Sequence, residues 1–299
     1  MPIVQLSRLT FGHDFNQPLA NSLDRLIQLK ELTFGYEFNC PLGNSLDRLT
    51  QLKKLTFSSN FNNLLRNSLA HQTQLEQLTF GYCFNQSLEN SLNQLSQLEQ
   101  LTFDYLFNYS LKNSLNQLSQ LSQLTFGHYF NYSLENSLNQ LTQLEQLTFG
   151  SRFNRPLNNS LNQLVQLEQL TFGHYFNQPL TNSLNQLVKL TNLTLGFAFN
   201  QELNIPLNIK KLRLDCNNLN LIENLPNSIE ELHLDYYFDL ELNNLPNSIK
   251  IISFDSESNY NKELNNLPHF LEKLYLSDKY DKEIKNINSQ CIVMIQKIE

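Results

Sequence analysis

The tripeptide Leu-Thr-Phe recurs along this 299-residue chain at a constant interval of 23 residues. It begins at Leu9 and keeps that spacing to Leu193, where Leu195 replaces the phenylalanine of the earlier copies. A Phe-Asn pair follows in all nine copies, from Phe15 to Phe199. A fixed period of this length predicts one supersecondary unit copied many times, because a single unit cannot bury its own apolar face and must stack on its neighbours.

Each part of the repeat predicts a local structure. Leu-Thr-Phe alternates apolar and polar side chains with period two, which is typical of a short half-buried strand. Gly12 ends the strand, Pro18 marks a turn, and Leu23, Leu26 and Leu29 then favour a short helical or 3₁₀ segment through their spacing of three. Since every strand enters in the same direction, we expect an α/β solenoid with short parallel strands on its concave face and the returns on its convex face.

The later copies carry the residues of a known repeat pattern. Ile209, Leu212, Leu214, Asn217 and Leu219 fill the pattern L-x-x-L-x-L-x-x-N-x-L position for position, so the chain resembles leucine-rich-repeat proteins. The earlier copies, with Phe-Asn-x-Pro-Leu, resemble FNIP repeats, a leucine-rich-repeat variant found in social amoebae and in giant viruses that infect amoebae. That family often carries an F-box, which implies a ubiquitin-ligase adaptor. Only eight residues precede the first Leu-Thr-Phe here, so we expect no F-box and carry over no such link.

The repeat changes character near residue 200. We predict a single solenoid over 1–299, with regular 23-residue FNIP-type repeats in 1–208 and shorter leucine-rich repeats of 19–22 residues with a C-terminal cap in 209–299. Residues 1–199 hold 11 Lys and Arg against 12 Asp and Glu, whereas the remainder holds 10 against 16. The acidic charge is therefore concentrated in the last third. We expect residues 290–295 to form a last strand that covers the final repeat.

Composition excludes several classes of function. No apolar run approaches the ~20 residues that span a bilayer, and the formal net charge of −7 argues against nucleic acid, which is bound through Lys and Arg. No P-loop, G-x-S-x-G, H-E-x-x-H or G-x-G-x-x-G motif is present, so we predict a protein that is not an enzyme and has no cofactor. The dispersed cysteines predict free thiols in a reducing compartment. They are Cys40, Cys83, Cys216 and Cys291.

The repeat varies most at the two positions before each Phe-Asn pair. Aromatic side chains are favoured in the cores of interfaces, so the rings at these positions form the predicted partner-binding surface. Its residues are His13, Tyr36, Tyr82, Tyr105, His128, Tyr129, His174, Tyr175 and Phe197. The alternative is that one of the two columns packs over the strand edge, because strict alternation from Leu9 points His13 inward. The three histidines share one repeat position, but the nearest two would lie about 10 Å apart at ~4.8 Å per strand, too far to share a metal ion.

The remaining columns favour structural interpretations. Asn16 and its equivalents follow an apolar Phe and are expected to satisfy loop backbone groups between neighbouring repeats. The Thr and Gln columns predict a uniform solvated strand face. A carboxylate follows each late strand, which we interpret as a solvated acidic face rather than a site for a cation or a basic partner. These residues are Asp215, Asp235, Asp255 and Asp278.

Together these patterns predict a non-enzymatic leucine-rich-repeat scaffold for protein–protein interaction. We expect its partner, whose identity the sequence does not reveal, to be a protein in the cytoplasm, that of the host if the chain is viral. We expect no binding to nucleic acid or membrane. The alternative is a structural or self-assembling protein, because Ile3, Leu6 and Leu9 already follow the interior pattern and leave the N-terminal repeat without a polar cap.

Overall fold

A computed structural model describes residues 5–297, and the chain forms two compact units that meet in sequence at Leu167 and Glu168. The strands of the first unit are β1 Arg8–Thr10, β2 Glu31–Thr33, β3 Lys54–Thr56, β4 Gln77–Phe80, β5 Gln100–Phe103, β6 Gln123–Thr125 and β7 Gln146–Thr148. The elements of the second unit are β8 Gln169–Thr171, β9 Asn192–Leu195, β10 Lys211–Leu214, α1 Leu219–Glu223, β11 Glu231–Leu234, β12 Ile251–Phe254, β13 Lys273–Ser277 and β14 Ile292–Gln296.

Strand pairing within each unit is parallel and follows the sequence repeat. In the first unit Leu9 lies opposite Leu32, one 23-residue step away. In the second unit Leu193 lies opposite Leu212, and Leu212 lies opposite Leu232. The predicted leucine-rich-repeat solenoid is therefore confirmed within each unit. That a single solenoid runs over 1–299, with a change of repeat type after residue 208, stays a prediction.

The core of each repeat is a column of Leu and Phe side chains. Phe34 and Phe38 are fully buried, with ring centroids 4.1 Å apart, and Phe34 also stacks on Phe57 of the next repeat at 5.3 Å. Full burial of one such side chain contributes roughly 1.5–3 kcal/mol, and buried Leu and Phe side chains recur from the second repeat onward. Tyr260 occupies this column in the second unit, where it is 4 % exposed and its hydroxyl makes no hydrogen bond.

The returns between strands are strings of tight turns. In the second repeat Ser45 N–H donates to Leu42 O at 3.0 Å, and Leu49 N–H donates to Leu46 O at 2.8 Å. These bonds have the i→i+3 spacing of a 3₁₀ helix, as the leucine spacing predicts, but the turns do not merge into a continuous helix. The five-residue α1 is the α-helix that the structure shows within 5–297, and no helix there is long and apolar enough to cross a membrane.

The asparagine after each buried Phe links neighbouring repeats. Asn39 N–H donates to Asn16 Oδ1 at 2.9 Å, and Asn62 N–H donates in turn to Asn39 Oδ1 at 2.9 Å. The second unit has the same bond between Asn200 N–H and Asn177 Oδ1, also at 2.9 Å. Each side chain therefore supplies an acceptor to a loop amide, which confirms the structural role that the sequence predicts for this column.

Candidate functional site

The two variable residues of each repeat lie at the tip of a β-turn that follows the strand. Phe38 N–H donates to Gly35 O at 3.2 Å, so Tyr36 and Glu37 are the two central residues of that turn. Strand alternation therefore stops at the glycine. The expectation that strict alternation would point His13 inward is wrong for this reason, because His13, in the equivalent turn, is exposed.

Close approach between successive turns explains the glycine at this position. A Cβ atom added at Gly35 would lie 1.9 Å from the carbonyl oxygen of Gly12. The turns therefore stack backbone against backbone, and Glu37 N–H donates to His13 O at 3.0 Å across them. This contact holds the side chains at the tips of neighbouring turns at the spacing of the strands.

Rings at the first variable position stack face to face along the first unit. The His13 and Tyr36 centroids are 4.9 Å apart with planes inclined by 2°. Tyr105 lies between Tyr82 at 4.5 Å and His128 at 4.6 Å. These separations match the strand spacing of about 4.8 Å, so the backbone repeat sets the stacking distance. We call these five rings the aromatic ladder.

The second variable position forms one side of the aromatic ladder. The Tyr129 ring meets Tyr105 edge-on at 5.2 Å and His128 edge-on at 4.9 Å, and the Arg152 guanidinium lies 5.0 Å from the Tyr129 centroid. Desolvation against the neighbouring groups raises the pKa of Tyr82, and the Tyr105 and Tyr129 phenols add to the rise. Sequence reasoning placed these rings in two columns, and the structure brings them together.

The exposed fraction of each ring in the ladder depends on how many other rings stack against it. Tyr36 is 47 % exposed and Tyr82 is 43 % exposed, and each of them stacks within the ladder on one side. Tyr105, which has a ring on both faces, is half-buried. The interruption lies at the third repeat, where Ser59 stands at the ring position.

A second aromatic cluster lies in the second unit. His174 stacks on Phe197 at 4.9 Å and meets Tyr175 edge-on at 4.7 Å. Tyr237 closes this group, with its centroid 4.9 Å from that of Phe197, and Tyr236 meets Tyr237 edge-on at 4.8 Å. Sequence reasoning missed both of these tyrosines. The sequence feature that could have identified them is their position directly before Phe238, which corresponds to the variable pair of the longer repeats.

The acidic residues behind the late strands are largely paired with neighbouring groups. Asp235 accepts from Arg213 Nε at 2.8 Å, and this bond is the main reason that the pKa of Arg213 is raised. Desolvation, followed by repulsion from Asp235, raises the pKa of Asp215, whose Oδ2 lies 4.0 Å from His174 Nδ1. Asp255 accepts from Glu257 N–H at 2.8 Å. The column is therefore not a uniformly solvated carboxylate face as the sequence predicted.

The described residues assemble no cluster for a metal ion, and the cysteines form no disulfide. Within residues 5–297 no group of three or more His, Cys, Asp or Glu side chains is placed to hold a metal ion. All four cysteines are free thiols, and Cys216 is buried.

Comparisons with known proteins agree with this architecture. The FNIP Repeat family model matches residues 217–257. The crystal structure of CroV588, a circular leucine-rich-repeat protein of a giant virus, superposes with a TM-score of 0.71 and 28% identity over 97% of this chain, which spans 50% of the CroV588 chain. Among the curated proteins no sequence matches the chain.

Two structures of lower identity share the fold. The internalin InlF of Listeria monocytogenes has a TM-score of 0.59 and 14% identity over 98% of this chain and 87% of its own. A chain of the Toll–Spätzle complex of Drosophila has a TM-score of 0.60 and 14% identity over 90% of this chain and 43% of its own. The family match at 217–257 lies within the shorter repeats, whereas FNIP-type repeats were expected in 1–208.

Proposed function

Because the chain is an FNIP-type leucine-rich-repeat protein, we propose that it is a non-enzymatic scaffold that binds a protein partner through the rings at its turn tips. The observation that carries this proposal is the aromatic ladder itself. Five rings stand at the tips of backbone-bonded turns in the first unit, and the most exposed of them have open faces.

Preorganisation makes this surface suited to binding. Tyr82, Tyr105 and His128 hold one another in place, so less side-chain entropy is lost when a partner covers them. Aromatic side chains also provide large contact area, and they are enriched among the residues that dominate binding energy. The Toll–Spätzle complex is a case in which a chain of this fold holds a protein ligand.

Charge favours a partner that is neutral or basic. Asp14 and Glu37 occupy the second variable position beside the first two rings of the ladder, within residues 1–199, where 12 Asp and Glu stand against 11 Lys and Arg. These two carboxylates repel phosphate groups at that end of the ladder, so the proposed partner is a protein and not a nucleic acid. We propose that the chain acts in the cytoplasm, that of the host if the chain is viral, and the likeness to CroV588, a protein of a giant virus, supports a viral origin.

Partner capture from host extract tests the proposal. Replacing Tyr36, Tyr82, Tyr105, Tyr129 and Tyr175 together by Ala removes five rings from turn tips, and we expect the chain to fold but to lose its captured protein. The matched control replaces Tyr109 and Tyr132, which are equally exposed but lie outside the ladder. Capture that is unchanged in the five-site variant, as measured by quantitative mass spectrometry, contradicts the proposal.

Self-assembly is the second candidate, and the ends of the two units support it. Phe11 and Phe15 in the first repeat are half-buried, whereas their equivalents Phe34 and Phe38 are fully buried. At the other end β14 continues the sheet and covers β13, as expected for the last strand, but its own apolar side chains are exposed. These are Ile292 at 56 %, Val293 at 40 % and Ile295 at 53 %.

An apolar strand with a free edge favours pairing with another chain, so β14 of one copy would pair with β1 of the next. Light scattering after size-exclusion chromatography measures the mass of the species. Replacing Ile292 and Ile295 by Lys should leave a monomer, whereas Val188→Lys, at an exposed site far from β14 in sequence, should not change the mass. A wild-type chain that stays monomeric at high concentration removes this candidate.

A further inference from the structure

The aromatic ladder lacks one ring, and the gap has defined walls. Tyr36 in the second repeat and Tyr82 in the fourth repeat face the interruption, where Ser59 replaces a ring. The turns beneath are continuous across it, because Asn60 N–H donates to Tyr36 O at 3.0 Å and Cys83 N–H donates to Ser59 O at 2.7 Å. The gap above Ser59, between the Tyr36 and Tyr82 rings, is therefore closed on one side by hydrogen-bonded backbone, and we call this gap the slot.

The width of the slot fits one planar ring. Two strand steps of about 4.8 Å place the Tyr36 and Tyr82 centroids about 9–10 Å apart. A ring inserted midway would lie about 4.8 Å from each, within the range of roughly 4.5–7 Å for aromatic pairs in proteins. The rungs next to the slot are already stacked at 4.9 Å and 4.5 Å, so an added ring would continue the same ladder.

Tyr36 and Tyr82, the two rings that border the slot, each have one face that no other ring of the ladder covers. Tyr36 and Tyr82 are 47 % and 43 % exposed, whereas Tyr105, which stacks on both faces, is half-buried. The Ser59 side chain is too short to cover either face. A ring from outside would remove both faces from water at once, which is the contact that the neighbouring rungs already make with each other.

One side of the slot is polar and rich in acceptors. Tyr129 shows that the second variable position borders the ladder, and at the slot this position is occupied by Glu37, Asn60 and Cys83. Asn60 Nδ2 donates to Glu37 Oε2 at 2.8 Å, and Cys83 Sγ lies 3.9 Å from Asn60 Oδ1. A carboxylate and an amide carbonyl at this border favour a ring that carries an N–H donor.

We propose that the slot between Tyr36 and Tyr82 binds one tryptophan side chain of the partner protein. The indole supplies the broadest planar face among side chains and an N–H donor for the Glu37–Asn60 border. A nucleobase has the same thickness, but its phosphate would meet the carboxylate of Glu37. This inference rests on the proposed function and specifies the chemistry that the ladder recognises.

The chain contains no tryptophan, so indole fluorescence reports the ligand alone. The probe is N-acetyltryptophanamide, titrated with the full chain while fluorescence and the NMR shifts of the indole protons are followed. We expect saturable binding in the millimolar range and upfield ring-current shifts. N-acetylleucinamide should not bind. Binding of adenosine 5′-monophosphate as strong as that of the indole probe overturns the assignment to a protein side chain.

Substitutions within the slot separate it from the rest of the ladder. Ser59→Tyr places a ring in the gap and should weaken probe binding by about tenfold or more, whereas Ser59→Ala should leave it unchanged. Tyr36→Ala and Tyr82→Ala each remove one of the two rings that border the slot and should also weaken probe binding, and Tyr132→Ala is the control.

Equal probe binding by Ser59→Tyr and the wild type overturns the proposal that the slot binds the ring. If Ser59→Tyr keeps partner capture while the five-site Ala variant loses it, the scaffold function stands and the slot falls.

Discussion

Gln72 Nε2 donates a hydrogen bond of 2.7 Å to the main-chain carbonyl of Leu46 in the preceding repeat. Gln72 is fully buried and stands in a column that the other regular repeats fill with leucine, such as Leu49 and Leu95. Its Oε1 atom makes no hydrogen bond. The Leu46 carbonyl also accepts from Leu49 N–H at 2.8 Å, so it does not depend on Gln72.

Gln72→Leu should therefore stabilise the chain. The substitution removes a buried acceptor without a partner and leaves the Leu46 carbonyl bonded, so we expect the free energy of unfolding to rise by about 1–2 kcal/mol. Urea denaturation followed by circular dichroism measures the change. Gln74→Leu makes the same chemical change at an exposed position of the same repeat and should be neutral. Destabilisation by Gln72→Leu would show that the polar contact itself holds the two repeats together.

The asparagine column predicts a loss of stability upon truncation. Asn85 Oδ1 accepts from Asn108 N–H at 2.9 Å, and Asn85→Ala leaves that part-buried amide without its acceptor. We expect a decrease of about 1–3 kcal/mol in the free energy of unfolding. Asn93→Ala in the same repeat is the control, because Asn93 is exposed and its side chain bonds only weakly to Asn90 at 3.3 Å. Equal effects of the two substitutions contradict the role of the column.

Sequence periodicity predicts the architecture because backbone register and side-chain burial both repeat with it. Leu32 and Phe34 are buried and Thr33 lies on the half-exposed strand face, as the period-two pattern indicates. The column of Asn16 follows the same logic, because a loop amide recurs at the same place in every repeat. These features depend on local pattern and on identical neighbours, and both can be read directly from the sequence.

The sequence repeat predicts the aromatic ladder only in part. Tyr82 and Tyr105 are 23 residues apart, and their stacking depends on a turn conformation that alternation from the strand does not describe. Tyr236 and Tyr237 were missed because the repeat shortens to 19 and 20 residues before them, which shifts the variable pair out of the 23-residue frame. The stacking of the ladder and the two missed tyrosines share one physical cause, because a turn rather than a strand positions all of these side chains.

Stability should depend on the ionisation of Asp215. Burial raises the pKa of this carboxyl above 3.8, so the folded state holds the proton more tightly, and stability contributed by this group is lost as the pH rises through the folded pKa. Asp215→Asn should therefore stabilise the chain near pH 7, and the difference from wild type should vanish near pH 3, where the carboxyl is protonated in both states.

The control for this titration is Asp278→Asn, which changes the same residue type in the same column at an exposed position. Urea denaturation of both variants at the two pH values gives the comparison. A destabilising effect of Asp215→Asn near pH 7 would mean that attraction to His174 and Arg213 outweighs the desolvation of the carboxylate.

Two glycines at the same repeat position should differ in how strongly substitution by alanine destabilises the chain. A Cβ atom at Gly12 meets nothing within 4 Å, whereas one at Gly35 lies 1.9 Å from the carbonyl oxygen of Gly12. Gly35→Ala must therefore shift the turn. Ser58 and Asp104 show the result at this position in other repeats, because the turn bond from Phe38 N–H to Gly35 O has no counterpart at either of them within residues 5–297.

We therefore expect Gly35→Ala to lower the free energy of unfolding by about 2 kcal/mol or more, since a turn bond is lost and the backbone moves. Gly12→Ala should change it by less than about 0.5 kcal/mol, because the added methyl group enters open space. Urea denaturation of both variants measures the difference. If the two substitutions have equal effects, close backbone approach is not what selects glycine at this turn. If Gly12→Ala alone is destabilising, another chain or segment covers the first turn in solution, which favours the self-assembly candidate.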